Sequence, residues 1–110
     1  MLDLNYLCKM AYENAKKRAE HEPTIKIDPV STIKHCAGEV VEAGEALTFY
    51  AICKQGSSEA INDTKETFAN ELADIICCVL TICGHENIDI EFALTKCMEK
   101  NANRAERGGK

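Results

Sequence analysis

The chain has 110 residues, 45% of them hydrophobic but only 5% aromatic, with no Trp and two Pro. That length makes one domain, residues 1–110, whose modest core must be filled by Ala, Ile, Leu, Val and Cys, a mixture that favours helices over a sandwich or barrel. A formal net charge of -5 argues against general electrostatic binding to nucleic acid or to an anionic membrane, since both depend on clustered Lys and Arg.

Residues 2–20 carry Leu4, Leu7, Cys8, Ala11, Tyr12 and Ala15 at the spacing of a single helical face, which predicts an amphipathic first helix. Residues 21–28 lack that period, and Asp28 before Pro29 supplies a cap and a first-turn proline for the next helix. This second helix is predicted from 29 to about 54, with Ile33, Ala37, Val40, Gly44, Leu47 and Ala51 spaced three and four apart. It is apolar around most of its circumference. Gln55, Gly56, Ser57 and Ser58 stop it, and the polar stretch to Asn62 reads as a loop. Asp63 and Glu66 have capping-box spacing and open a third helix over 64–83, with Gly84 as its stop. Asp89 caps a fourth helix running to about Arg104. With short connections and no alternating Val- or Thr-rich run, the pattern predicts an all-α four-helix bundle.

The seven cysteines (Cys8, Cys36, Cys53, Cys77, Cys78, Cys83 and Cys97) form no Cys-x-x-Cys pair and fall mostly on apolar stripes. They read as reduced, buried small hydrophobes. No charged-then-apolar leader opens the chain, and the longest apolar run, 75–83, is roughly half the length of a membrane span. A soluble, cytoplasmic protein is expected. Lys96, Lys100, Arg104, Arg107 and Lys110 give this acidic chain a small basic end.

The second and third helices share a pair of acids three residues apart: Glu39 with Glu42, and Glu71 with Asp74. Positions i and i+3 lie about 60° apart around a helix, so each pair projects to one side. Glu42 is followed at helical spacing by Ala46, Phe49 and Cys53, and Glu71 by Ile75, Cys78 and Ile82. Both acid stripes therefore run into apolar ones, which directs them to the interior or to a cleft at its edge. Isolated buried carboxylates cost several kcal/mol each unless neutralised. A divalent cation resolves that cost, and hard oxygen ligands without His or Cys select Mg²⁺ or Mn²⁺ over Zn²⁺. Iron is disfavoured because none of His21, His35 or His85 has a Glu three residues before it. The alternative is a solvated acidic face, as expected for Glu45.

Glu-x-x-Glu, 28 intervening residues, Glu-x-x-Asp, and a later helix reading Lys96-Cys97-Met98-Glu99-Lys100-Asn101-Ala102-Asn103-Arg104 resemble the MazG-like branch of the all-α NTP pyrophosphatases. The resemblance spans roughly residues 33–110. It implies that Glu39, Glu42, Glu71 and Asp74 bind Mg²⁺ and serve catalysis. It implies cleavage of a nucleoside triphosphate between the α and β phosphates to a monophosphate and pyrophosphate. It also implies phosphate contacts from Lys96, Lys100, Asn101 and Arg104, and a homodimer or homotetramer that completes the bundle. Two positions depart from the family pattern: Gly38 stands where a leading Glu is common, and Cys97 where a Lys is common. Phosphoribosyl-ATP pyrophosphatase shares the acid arrangement and is the nearest alternative activity. A non-catalytic helical dimerisation or regulatory module is the alternative from another class.

Overall fold

The computed structural model describes residues 3–108, which form four helices: α1 (Leu4–His21), α2 (Pro29–Cys53), α3 (Ser58–Glu86) and α4 (Ile90–Glu106). No strand occurs among the described residues, so the fold is all-α as expected. Each helix starts at a short polar side chain that accepts a first-turn amide: Asp3 from Tyr6, Asp28 from Ser31, Ser57 from Ala60 and Asp89 from Phe92. Met1 and Leu2, the latter expected in the first helix, lie outside the described residues, as do Gly109 and Lys110.

The third helix differs from the sequence expectation at both ends. It begins at Ser58, not 64, because Ser57 supplies the cap. Asp63 and Glu66 stand inside it. Residues 58–62, expected in a loop, form its first turns, while Thr64 is buried with its hydroxyl donating to the Ala60 carbonyl at 2.7 Å. Nor does Gly84 stop the helix. The chain leaves it at Asn87, which takes the left-handed conformation at φ 55°.

Gly84 has another use. A Cβ there would run into the Cys8 carbonyl oxygen and lie 2.7 Å from the Tyr12 Cβ, so the missing side chain lets α1 lie directly on α3. Cys8, Leu80 and Cys83 form the buried cluster at this crossing, with Leu7, Ala11 and Ile90 packed against it. Gly84→Ala is therefore expected to destabilise the protein by about 1–3 kcal/mol from overpacking, reversing the ~1 kcal/mol gain that the same change gives in an open helix. Urea unfolding of the variant checks this; a stability gain would contradict the close approach.

α3 is the hub of the molecule. α2 and α1 both pack along it, whereas α4 is joined mainly to the start of α1. There the Leu4 amide donates to the Glu91 carboxylate, the Ile90 amide to the Asn5 side-chain Oδ1, and Asn5 Nδ2 to Asp89 Oδ1. No residue of α4 is buried.

The result is an open arrangement. Its radius of gyration is 17.1 Å, against about 13 Å for a compact chain of this length. Its accessible surface is 8194 Å², roughly 2,000 Å² more than a compact monomer of this mass exposes. Much of the excess is apolar. Along α2, Val30, Ile33, Val40, Val41, Leu47 and Ile52 are exposed, and along α3 so are Leu72, Ile76 and Val79. α3 is also apolar enough by length and composition to cross a membrane, with one 18-residue stretch of mean hydropathy 1.5. That exceeds the expectation from the run 75–83, because the helix extends well beyond it. Glu71 and Asp74 stand within α3, and charges are expensive at the centre of a bilayer.

Four of the seven cysteines, Cys8, Cys36, Cys78 and Cys83, are buried as small core residues. Cys53 is half-buried, whereas Cys77 and Cys97 are exposed.

Candidate functional site

The acid pairs sit where α2 and α3 pack side by side. One carboxylate oxygen from each of Glu39, Glu42 and Glu71 lies within 4.8 Å of the other two. Asp74 stands beside this triple without joining it. The first acid of each pair, Glu39 and Glu71, is half-buried, and the second, Glu42 and Asp74, is exposed. The angular offset explains the difference: with about 60° between i and i+3, one member faces the neighbouring helix and the other reaches the rim. Glu45 is exposed and stands outside the triple.

Hydrogen bonding leaves this cluster incompletely satisfied. Glu39 Oε1 lies 3.0 Å from His35 Nε2, one turn earlier on α2. Glu39 Oε2 and Glu71 Oε2 are shut off from solvent and have no hydrogen-bond partner among the described residues. Orphaned carboxylate oxygens of this kind are costly in a folded protein. The pKa of Glu71 accordingly rises above its ordinary value of 4.5, first through burial and then through the charges of Glu42, Asp74 and Glu39. Three carboxylates that could hold a hard cation converge here, two of their oxygens lack partners, and no Lys or Arg pairs with them among the described residues.

A cavity of about 570 Å³ opens beside the cluster, bounded by α1, the α1–α2 connection, the first turns of α2 and the middle of α3. Glu39 and Asp74 contribute carboxylates to its lining. Arg18, Lys26 and His35 line it as well, with Ile25, Ile27, Cys77 and Cys78 as apolar wall. Burial, reinforced by the neighbouring Cys36 and Glu39, pushes the Cys78 thiol up to about 11. It stays protonated near neutral pH and is a poor nucleophile.

The basic residues of α4 are placed differently. Lys96, Lys100, Asn101 and Arg104 are all exposed, and none lines the cavity. Lys96 Nζ lies over the Phe92 ring of its own helix, 5.7 Å from the centroid. Asn101 Nδ2 lies 3.8 Å from Cys97 Sγ. Within one chain the α4 cations and the cavity are therefore separate features.

Arg18, Lys26 and His35 were not legible as site residues from the sequence. Arg18 lies near the end of an amphipathic helix and Lys26 in a stretch without period, so each reads as ordinary surface charge. The only hint was His35, one helical turn before Glu39.

No family model, curated protein or solved structure matches this chain.

Proposed function

We propose that the protein is a Mg²⁺-dependent nucleoside triphosphate pyrophosphohydrolase of the MazG-like all-α type, cleaving an NTP or dNTP between its α and β phosphates. The observation that supports this reading is the convergence of Glu39, Glu42 and Glu71, two of them with buried oxygens that have no partner among the described residues. These three, with Asp74 beside them, would hold Mg²⁺ or Mn²⁺. When bound, the cation polarises the phosphate and lowers the pKa of a water. One of the acids would orient or deprotonate a water for in-line attack. Such an enzyme would act in the cytoplasm.

Association completes the proposal. The surface excess of roughly 2,000 Å² per chain is the scale of an obligate interface. Its apolar stripes on α2 and α3 suit a second copy of the same chain, as a homodimer or homotetramer. Assembly also offers a way for Lys96, Lys100, Asn101 and Arg104 to meet phosphates, because all four are exposed on a helix with no fully buried residue.

The same apolar stripes would equally serve a non-catalytic helical dimerisation module, and one experiment separates the two readings. A panel of NTPs and dNTPs, with phosphoribosyl-ATP included, is incubated with the protein and Mg²⁺ or Mn²⁺. Turnover of at least one nucleotide, lost on adding EDTA, is the expected outcome. No turnover with either ion would favour the module, and preference for phosphoribosyl-ATP would identify the neighbouring activity.

A further inference from the structure

We infer that the cavity beside the acid cluster is the subsite for the pyrophosphate end of the substrate, and that Arg18 and Lys26 hold it there. The inference rests on the proposed pyrophosphohydrolase reading and deepens it by naming the residues that face the leaving group.

A polyphosphate brings several negative charges, and the acid cluster handles only those a cation neutralises. The remainder needs Lys, Arg or other donors on the opposite side. The cavity lining carries both kinds of group: the carboxylates of Glu39 and Asp74, and the cations of Arg18 and Lys26. Neither cation has a carboxylate partner within salt-bridge distance among the described residues. Both are thus available for an anion.

The lining also argues against the nucleoside as occupant. Apart from the His35 imidazole, no aromatic ring lines it, so a base would find no stacking surface. Ser31 and Thr32 add hydroxyl donors, which suit phosphate oxygens. At about 570 Å³ the space falls within the ordinary range of small-molecule sites. In the reaction, water attacks the α phosphorus and the bond from it to the bridging oxygen breaks. The electron pair leaves with pyrophosphate, the water's proton passes to an acid, and Arg18 and Lys26 balance the charge that departs. Water is the only co-reactant.

Inorganic pyrophosphate is the probe. Its affinity is measured by calorimetry with Mg²⁺ present, and its inhibition of NTP turnover by steady-state kinetics. The proteins are wild type, Arg18→Ala, Lys26→Ala, the double variant and Arg18→Lys. Circular dichroism confirms helical content in each. Loss of one charge-assisted contact is expected to weaken pyrophosphate binding about 10-fold, with a larger loss in the double variant. Arg18→Lys is expected to recover part of the affinity, which a purely structural role for Arg18 would not show. A double variant that binds pyrophosphate as wild type does, or a wild type that does not bind it, overturns the assignment. If binding follows the expected order but no NTP is hydrolysed, the subsite stands and the pyrophosphohydrolase reading falls. If NTP is hydrolysed with unaltered KM and inhibition in the double variant, the reading stands and the subsite falls.

Discussion

Glu71→Gln is expected to lower Mg²⁺-dependent turnover by roughly 100- to 1,000-fold while raising the thermal stability of the metal-free protein. The two effects share one cause. Glu71 has a buried oxygen without a partner and lies against Glu42, Asp74 and Glu39, so its charge is unfavourable until a cation balances it. Gln keeps the shape and removes that charge, which relieves the empty fold and weakens the metal site. The pH dependence follows the same sign. An acid with a raised pKa binds its proton more tightly folded than unfolded, so it favours folding below its ordinary value of 4.5. That contribution is lost as pH rises from there through the folded pKa. Thermal melts in EDTA are therefore expected to show a steeper loss of stability across that range in wild type than in Glu71→Gln. Added Mg²⁺ should restore stability at neutral pH only in wild type. Glu45→Gln, outside the cluster, should change neither turnover nor melting. A Glu71→Gln protein that melts lower in EDTA than wild type would contradict this picture of the site.

The second large effect concerns assembly. Val30, Val41 and Ile52 on α2 are spaced eleven residues apart, close to three full turns, and so line up on one face. All three are more than half exposed, at 61%, 62% and 68%. Covering such a face is worth about 25 cal/mol per Å² of apolar surface, so a carboxylate placed in its middle should split the assembly. Sedimentation of wild type is expected to give at least twice the chain mass of 12.2 kDa. Val41→Glu and Ile52→Glu are each expected to shift it toward the single chain, with turnover falling alongside. A wild type that sediments as a monomer at micromolar concentration would overturn the oligomer.

Helix content and most helix starts were legible because local rules govern them. Asp28 with Pro29, and Asp89, announce caps that need only their own first turn. The start of α3 was misplaced because two capping signals compete within a few residues, and Ser57 prevails over Asp63 once Thr64 packs inward with its hydroxyl satisfied by Ala60. Gly84 was read as a stop because a glycine near the end of an apolar run has two possible uses. Only the crossing of α1 over α3 reveals which one applies.

The acid cluster was legible in part. Spacing placed Glu39 with Glu42 and Glu71 with Asp74 on facing sides, yet it could not tell which member of each pair turns inward. The cavity was not legible at all. It is built by Arg18 on α1, Lys26 on a connection and His35 on α2, residues joined only by tertiary packing.

The most direct test of the central claim is the identity of the products when wild-type protein and Mg²⁺ meet a turned-over NTP, read by ³¹P NMR. Nucleoside monophosphate and pyrophosphate in equal amounts are expected. Nucleoside diphosphate with orthophosphate would place the cleavage between the β and γ phosphates and contradict the proposed reaction.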